Sequence, residues 1–333
     1  MNQRFNINRA ENIINQFSKT LDLSLVGYSI LTEVGTGLYS FMPIIPLMAG
    51  AKKVMAWTQD SIYGSAESAI HQCRNILAST DNTEIDFHVG PLNVDHLKQA
   101  DVITNSAFLR PLDKEKLKHT KCGVVIPLMY EKWEFRASDI DIEYCRKRGI
   151  KVAGTNERHP LLQIFQYVGP LAIKMVFEAG YEVYKNKIVI WSNDVFGDVI
   201  FNAFKSLNAR EIIKTTNFND VRHSIGGVDF IFIADYNEVR SYSDNSFFNL
   251  SELKSINQDF GVVHLYGSID FEQVVNLNIP IFPGKNGFAR KMSFTLSHLG
   301  LVPFLGLQVG CFKVGEMLLS GNVDNDLSQL ICS

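Results

Sequence analysis

Short apolar runs recur along the chain, each followed by a polar turn and then a stretch of helical spacing. In the first half they lie at 23–30, 52–59, 85–90, 100–106, 123–129 and 150–155. In the second half they lie at 187–192, 210–216, 228–235, 261–267 and 279–284. Most are continuous rather than alternating, which marks strands covered on both faces, as in parallel sheets. Strand–helix alternation of this kind implies right-handed crossovers and an α/β fold. Two such series predict two doubly wound parallel-sheet domains of Rossmann or flavodoxin type, with a cleft between them that holds the site. The pattern places an N-terminal substrate-type domain over 1–158 and a Rossmann-like domain over 159–290. A C-terminal helical segment over 291–333 is expected to pack back on the first domain or on a dimer partner. A helix over 161–184 separates the domains, and Pro170 inside it is expected to kink it, because proline lacks an amide and crowds the preceding turn.

Composition narrows the partners. The chain has 333 residues, is 46% hydrophobic and 20% charged, and carries a net charge of −3 with lysines and arginines scattered. That balance gives no electrostatic footprint for nucleic acid or an anionic membrane. The start, MNQRFNINRAENII, lacks the apolar core of a signal peptide. The apolar run 299–312 holds Pro303 and Gln308 and reads as too short to span a bilayer. Cys73, Cys122, Cys145, Cys311 and Cys332 are far apart and odd in number, with no C-x-x-C pair. Free thiols in a reducing cytoplasm, and no metal site, are the expectation.

One stretch carries a specific frame. KIVIWSNDVFGDVIFNAF (187–204) is a strand, a polar turn and a helix, the setting of a dinucleotide-binding turn that normally reads G-x-G-x-x-G. Its three glycine positions hold Ser192, Asp194 and Gly197, with Asn193 between the first two. Asp194 puts a carboxylate where a diphosphate would lie. The next strand ends in Lys214, Thr215, Thr216 and Asn217, with no acid for a ribose 2′-hydroxyl. A lysine there would tolerate a 2′-phosphate; equally, Lys214 reads as a surface lysine at a strand end.

Around this turn the chain resembles the D-2-hydroxyacid dehydrogenase and formate/glycerate dehydrogenase superfamily. The resemblance runs over about 139–320 and is carried by DIDIEYCRKRGIKVAGTNE, by residues 161–200, by VDFIFIADYNEV and by FGVVHLYGSIDFEQVV. It implies NAD or NADP as cofactor, a small-molecule substrate and a homodimer. The helices near 161–184 and 291–320 also look more apolar than one domain edge needs, and a twofold interface is the commonest solution. The superfamily's arginine before a glycine is replaced by Tyr266 before Gly267, and its histidine after a proline by Gly284 after Pro283. Ordinary 2-hydroxyacid reduction is therefore not expected.

Three other clusters sit where strands end. EVGTG (33–37) followed by AGAKKVMAWTQD is similar to the first motif and second strand of S-adenosylmethionine-dependent methyltransferases, with Glu33, Gly35, Gly37 and Asp60 in the matching places. The glycines equally suit a tight turn at positive φ. Asp60 and Tyr63 lie at a strand's C-terminal end, where open α/β sheets bind ligands. PLMYEKWEFRASDIDI supplies Glu131, Trp133, Glu134 and Arg136; GTNERHP supplies Asn156, Glu157, Arg158 and His159. Arg136 could clamp an anion bidentately. Glu131 or Glu134 could act as a general base if burial raised its pKa. His159 is the candidate for proton transfer, or else part of a helix cap closed by Pro160. Glu131, Glu134, Arg136 and His159 are expected to converge on one ligand, with Trp133, Asn156 and Glu157 beside them. The functional expectation is an NAD(P)-dependent oxidoreductase with a changed catalytic set, acting on a small polar metabolite. A methyltransferase using the EVGTG turn and an inactive dehydrogenase-like binding protein are the alternatives. The turn at 192–197 is expected to bind a dinucleotide weakly or not at all.

Overall fold

The computed structural model describes residues 6–78, 84–235, 249–267, 269–284, 292–322 and 326–333. The chain divides into unit 1, Met1–Phe165 with Gly300–Ser333, and unit 2, Gln166–Leu299. The breaks fall seven to nine residues beyond those read from the apolar pattern, because residues 159–165 and 300–333 both build unit 1.

Unit 1 holds β1 (Ser29–Glu33), β2 (Lys53–Thr58), β3 (Ile85–Val89), β4 (Val102–Ile103), β5 (Val125–Pro127) and β6 (Lys151–Thr155). These six pair in parallel in the order 3-2-1-4-5-6, the doubly wound arrangement. The last strand of the chain, β12 (Ser328–Cys332), runs antiparallel along β6, with Ser328 opposite Thr155. The reading of 291–333 as helical missed it. An edge strand half open to solvent lacks the continuous apolar run that announces a buried parallel strand. The opening run is also shifted: Leu23 and Leu25 are core residues ahead of the sheet, and β1 carries the chain on to Glu33.

The helix Leu301–Ser320 packs on the helix Ile7–Leu21 and on β5 and β6. Gly306 permits this approach, since a Cβ there would lie 2.7 Å from the Phe17 ring. The helix is long and apolar enough to cross a membrane, contrary to the reading of 299–312, because it runs on past Lys313 and Glu316, which pair at 2.9 Å. Of that apolar window 72% is buried in the protein.

One buried polar contact in unit 1 gives a pH signature. Trp57 Nε1 donates to His96 Nδ1 at 2.9 Å, and His96 Nε2 lies 3.1 Å from Asp86. Burial holds the His96 pKa below 6.5, against the pull of Asp86. The unfolded chain then binds the proton first on acidification, so the His96 contribution to stability is present above 6.5 and lost as pH falls through the folded pKa. Urea midpoints of wild type and His96→Gln, compared between pH 7 and pH 5, should converge on acidification; a constant gap would refute the assignment.

Unit 2 holds β7 (Lys187–Trp191), β8 (Glu211–Thr215), β9 (Phe230–Ala234), β10 (Gly261–Tyr266) and β11 (Ile281–Phe282). All are parallel, in the order β11-β10-β9-β7-β8, so the direction of winding reverses between β7 and β9. The long kinked helix expected over 161–184 is instead a 3-10 turn, Ile164–Tyr167, and a helix, Val168–Glu178. Pro170 lies in that helix's first turn, where a missing amide costs nothing.

Candidate functional site

In unit 1 the strand order reverses between β1 and β4. Ligands of open α/β sheets bind outside the carboxyl ends of the strands at such a reversal. Glu33 ends β1 and is 1% exposed. Its Oε2 accepts from the Phe108 amide at 3.2 Å, while Oε1 is buried without a hydrogen-bond partner among the described residues. Burial pushes the Glu33 pKa up to about 7, against the Phe108 amide, the Arg110 charge, the Ala107 amide and the Ser106 hydroxyl. A carboxyl taken out of water loses more solvation as the anion than as the acid, which gives the direction.

Asn105 follows β4, the strand beside β1. Its Nδ2 donates to the Tyr130 hydroxyl at 2.7 Å, and its Oδ1 is buried without a hydrogen-bond partner among the described residues. Arg110 donates to the Asn105 carbonyl from Nε and from Nη2, at 3.1 and 2.8 Å. Asp139 lies 3.6 Å from Arg110 and 3.5 Å from Arg136, so two cations share one anion. Both guanidinium groups lie over the Tyr130 ring, at 5.8 and 6.0 Å. Tyr39 adjoins Glu33; burial first, then the Glu33 charge, pushes its pKa up to about 12. The strand reversal thus holds a carboxyl that titrates near neutrality, an amide and an arginine. The sequence reading named Glu33 as part of the EVGTG turn and did not single out Asn105, Ser106, Arg110, Tyr130 or Tyr39, although TNSAFLR directly after an apolar run was a polar strand end of the kind sought.

The neighbouring glycine turn is committed to structure. Gly37 has φ +67°, its amide donates to Gln72 Oε1 at 2.9 Å, and it opens only a 3-10 turn, Gly37–Phe41. A Cβ at Gly35 would lie 2.9 Å from Tyr39 Cβ. Asp60 Oδ1 accepts from the Ala66 amide at 2.9 Å, and the Tyr63 side chain points outward, 82% exposed. These contacts engage the Gly37 amide and the Asp60 carboxylate, two of the groups named in the methyltransferase reading.

The ends of β5 and β6 bring three acids together. Glu131 is 3% exposed; Trp133 Nε1 donates to its Oε2 at 2.5 Å, and Arg158 stands 3.6 Å away. Glu134 and Glu157 are both raised above the usual carboxylate range, first by lost hydration; for Glu157 the charges of Glu134 and Glu131 add to this. Arg158 also lies over Phe165, at 4.8 Å. Among the described residues no three acids or histidines are placed to hold a metal ion. Glu131 and Glu134 meet Glu157 and Arg158, and the Arg136 charge acts on Glu134 while its guanidinium also approaches Asp139 and the Tyr130 ring. The His159 ring closes its own turn, Nδ1 accepting from the Leu161 amide at 3.3 Å. Asn156 anchors the chain, donating from Nδ2 to the Asp326 carbonyl at 2.9 Å and accepting at Oδ1 from the Arg158 amide at 3.0 Å.

In unit 2 the turn after β7 lies at the reversal. Asp194 caps the helix Val195–Ser206: its Oδ1 accepts from the amides of Phe196 and Gly197 at 2.9 and 3.4 Å and from Ser192 Oγ at 3.1 Å. Ser192 is 1% exposed and packs so closely that a Cβ on Gly197 would lie 2.5 Å from its Oγ. Lys214 pairs with Asp198, so the cation proposed for a 2′-phosphate already has an anion. Asn193 sits in the same turn and is likewise engaged. The turn in this form does not fit a diphosphate, because the amides that would receive it hold a carboxylate of the chain itself.

No family model and no curated protein matches this sequence. Solved structures do. A dipicolinate synthase subunit from Bacillus halodurans is 10% identical with a TM-score of 0.55, over 91% of this chain and 100% of that one. Its counterpart from Bacillus subtilis is 11% identical with a TM-score of 0.55, again over 91% and 100%. D-mandelate dehydrogenase from Rhodotorula graminis gives a weaker likeness, on which nothing rests: 9% identity and a TM-score of 0.41, over 92% and 98%. The chain has the α/β fold of these dipicolinate synthase subunits.

Proposed function

We propose that this protein is a dehydrogenase-fold oxidoreductase acting on a small polar metabolite held at the strand reversal of unit 1. The observation that carries the reading is the pair of buried acceptors, Glu33 Oε1 and Asn105 Oδ1, beside Arg110 and unpartnered among the described residues. Buried polar atoms are costly unless paired, and a ligand that offers hydroxyl or amino hydrogens would pair them. Arg110 and Arg136, both beside Asp139, favour an anionic group on the same ligand. Glu33, titrating near neutrality, suits the holding and release of a proton. The shared fold supports oxidation–reduction as the reaction class; a nicotinamide dinucleotide as hydride carrier would require Asp194 to leave the Phe196 and Gly197 amides that it occupies in this structure. A second reading, a metabolite-binding protein that kept the dehydrogenase fold, is favoured by the Asp194 cap.

Thermal-shift titration with small hydroxy-, keto- and amino acids, alone and with NADH or NADPH, tests this. A ligand at a hundred times its Kd should stabilise the native state by about 2.7 kcal/mol. Stabilisation abolished by Glu33→Gln and weakened by Arg110→Lys is the expected result. A ligand that stabilises both variants as well as wild type sinks the unit 1 site. Metabolite binding with no consumption of NADH or NADPH selects the second reading.

A further inference from the structure

We infer that Asp194 is an internal competitor for the diphosphate of a dinucleotide. This concerns unit 2 alone and stands whether or not unit 1 holds the metabolite proposed above. A helix N-terminus presents amides without intrahelical partners and a partial positive charge, the basis of phosphate binding after the first strand of a Rossmann unit. Here the strand order places the start of Val195–Ser206 at the reversal between β7 and β9. The Phe196 and Gly197 amides point to a single acceptor, Asp194 Oδ1, at 2.9 and 3.4 Å. Ser192 donates its hydroxyl to that same oxygen at 3.1 Å. The residues at the first two glycine positions thus act together: one supplies the anion and the other holds it. Gly197 is retained for a matching reason, since a Cβ there would meet Ser192 Oγ at 2.5 Å and Ser192 Cβ at 2.6 Å.

A diphosphate entering this seat must first expel the carboxylate. It forfeits the capping bonds and leaves two anions side by side unless Asp194 swings clear. The nearby Lys214 is itself paired with Asp198. A cap of this kind is worth roughly a factor of ten in an equilibrium, and the tether makes Asp194 an ever-present rival of the incoming group. A serine at the same position can cap the helix without the charge, and a glycine frees the amides altogether. The two substitutions therefore separate charge from occupancy.

The probe is ADP, which carries the diphosphate without nicotinamide, with adenosine as the control that lacks it. Titrations with ADP and NADH should give affinities about tenfold tighter or more in Asp194→Gly than in wild type, with Asp194→Ser between them. The double variant Ser192→Gly/Asp194→Gly should bind tightest, and adenosine should be unaffected throughout. Thermal melts of Asp194→Ser guard against loss of fold, since that variant keeps its cap. Equal ADP affinity in wild type and all variants overturns the inference, as does failure of every variant to bind ADP at millimolar concentration. Neither result bears on Glu33, whose variant is read through metabolite binding and the pH dependence of stability.

Discussion

Glu33→Gln should flatten the alkaline fall in stability of this protein. Glu33 is 1% exposed, and burial pushes its pKa from 4.5 to about 7. The folded state therefore holds a proton that the unfolded state has released between those two values. Stability falls wherever the folded state binds more protons as pH rises. The Glu33 contribution is fully present below 4.5 and is lost as pH climbs through about 7. The shift corresponds to a loss of roughly 3 kcal/mol across the window. Glutamine cannot ionise and can still accept from the Phe108 amide, so the variant should lack that loss. His96 works in the opposite direction over part of the range, so the difference between wild type and variant is the quantity to read. Urea denaturation at pH 5, 6, 7 and 8 supplies it. Parallel pH profiles for the two proteins would mean that Glu33 ionises freely, and would remove the reason for assigning it a proton-handling role.

The parallel strands were legible because burial on both faces leaves a mark that chain position alone can carry. KIVIWS and VDFIFIAD are continuous apolar runs, and they are β7 and β9. The strand order was not legible, since crossovers leave no trace in local periodicity. It is the order that brings Glu33 beside Asn105 across a gap of more than seventy residues. The sequence reading looked for chemistry among residues close in the chain, and so it grouped His159 with Glu131 and Arg136. The structure groups by sheet register instead. Glu157 points its charge at Glu131 and Glu134, while its neighbour His159 spends its ring on the turn that follows. Asp194 shows a further limit. A carboxylate at a phosphate position was plain in the sequence and suggested repulsion. That it folds back onto the amides and satisfies them depends on a side-chain rotamer, which composition and spacing do not encode.

Gly154→Ala should be the most damaging single-methyl change near the candidate acids. Gly154 lies in β6, between β5 and β12, and the loop carrying Glu131 crosses directly over it. A Cβ at Gly154 would lie 2.8 Å from the Lys132 nitrogen, 2.8 Å from the Tyr130 carbonyl oxygen and 3.1 Å from the Glu131 carbonyl carbon. All three are backbone atoms, so no flexible side chain can swing aside. The loop is also pinned: the Thr155 amide donates to the Tyr130 carbonyl at 3.0 Å, and the Lys132 amide donates to Gln329 Oε1 at 2.7 Å. Glycine inside a strand is ordinarily a weakness that alanine relieves, but here crowding decides the sign. Overpacking typically costs about 1–3 kcal/mol, and a wholly backbone clash belongs at the upper end of that range. The loop must lift, and it carries Glu131 away from Arg158 and the Trp133 indole. Urea denaturation should show a loss of about 3 kcal/mol, and the tryptophan emission should shift as the Trp133 hydrogen bond breaks. Gly226→Ala is the control: nothing lies within 4 Å of a Cβ there, and its effect should stay within about 0.5 kcal/mol. If the two variants unfold at the same urea concentration, β6 has room for the methyl group, and close packing under Gly154 is not what positions Glu131.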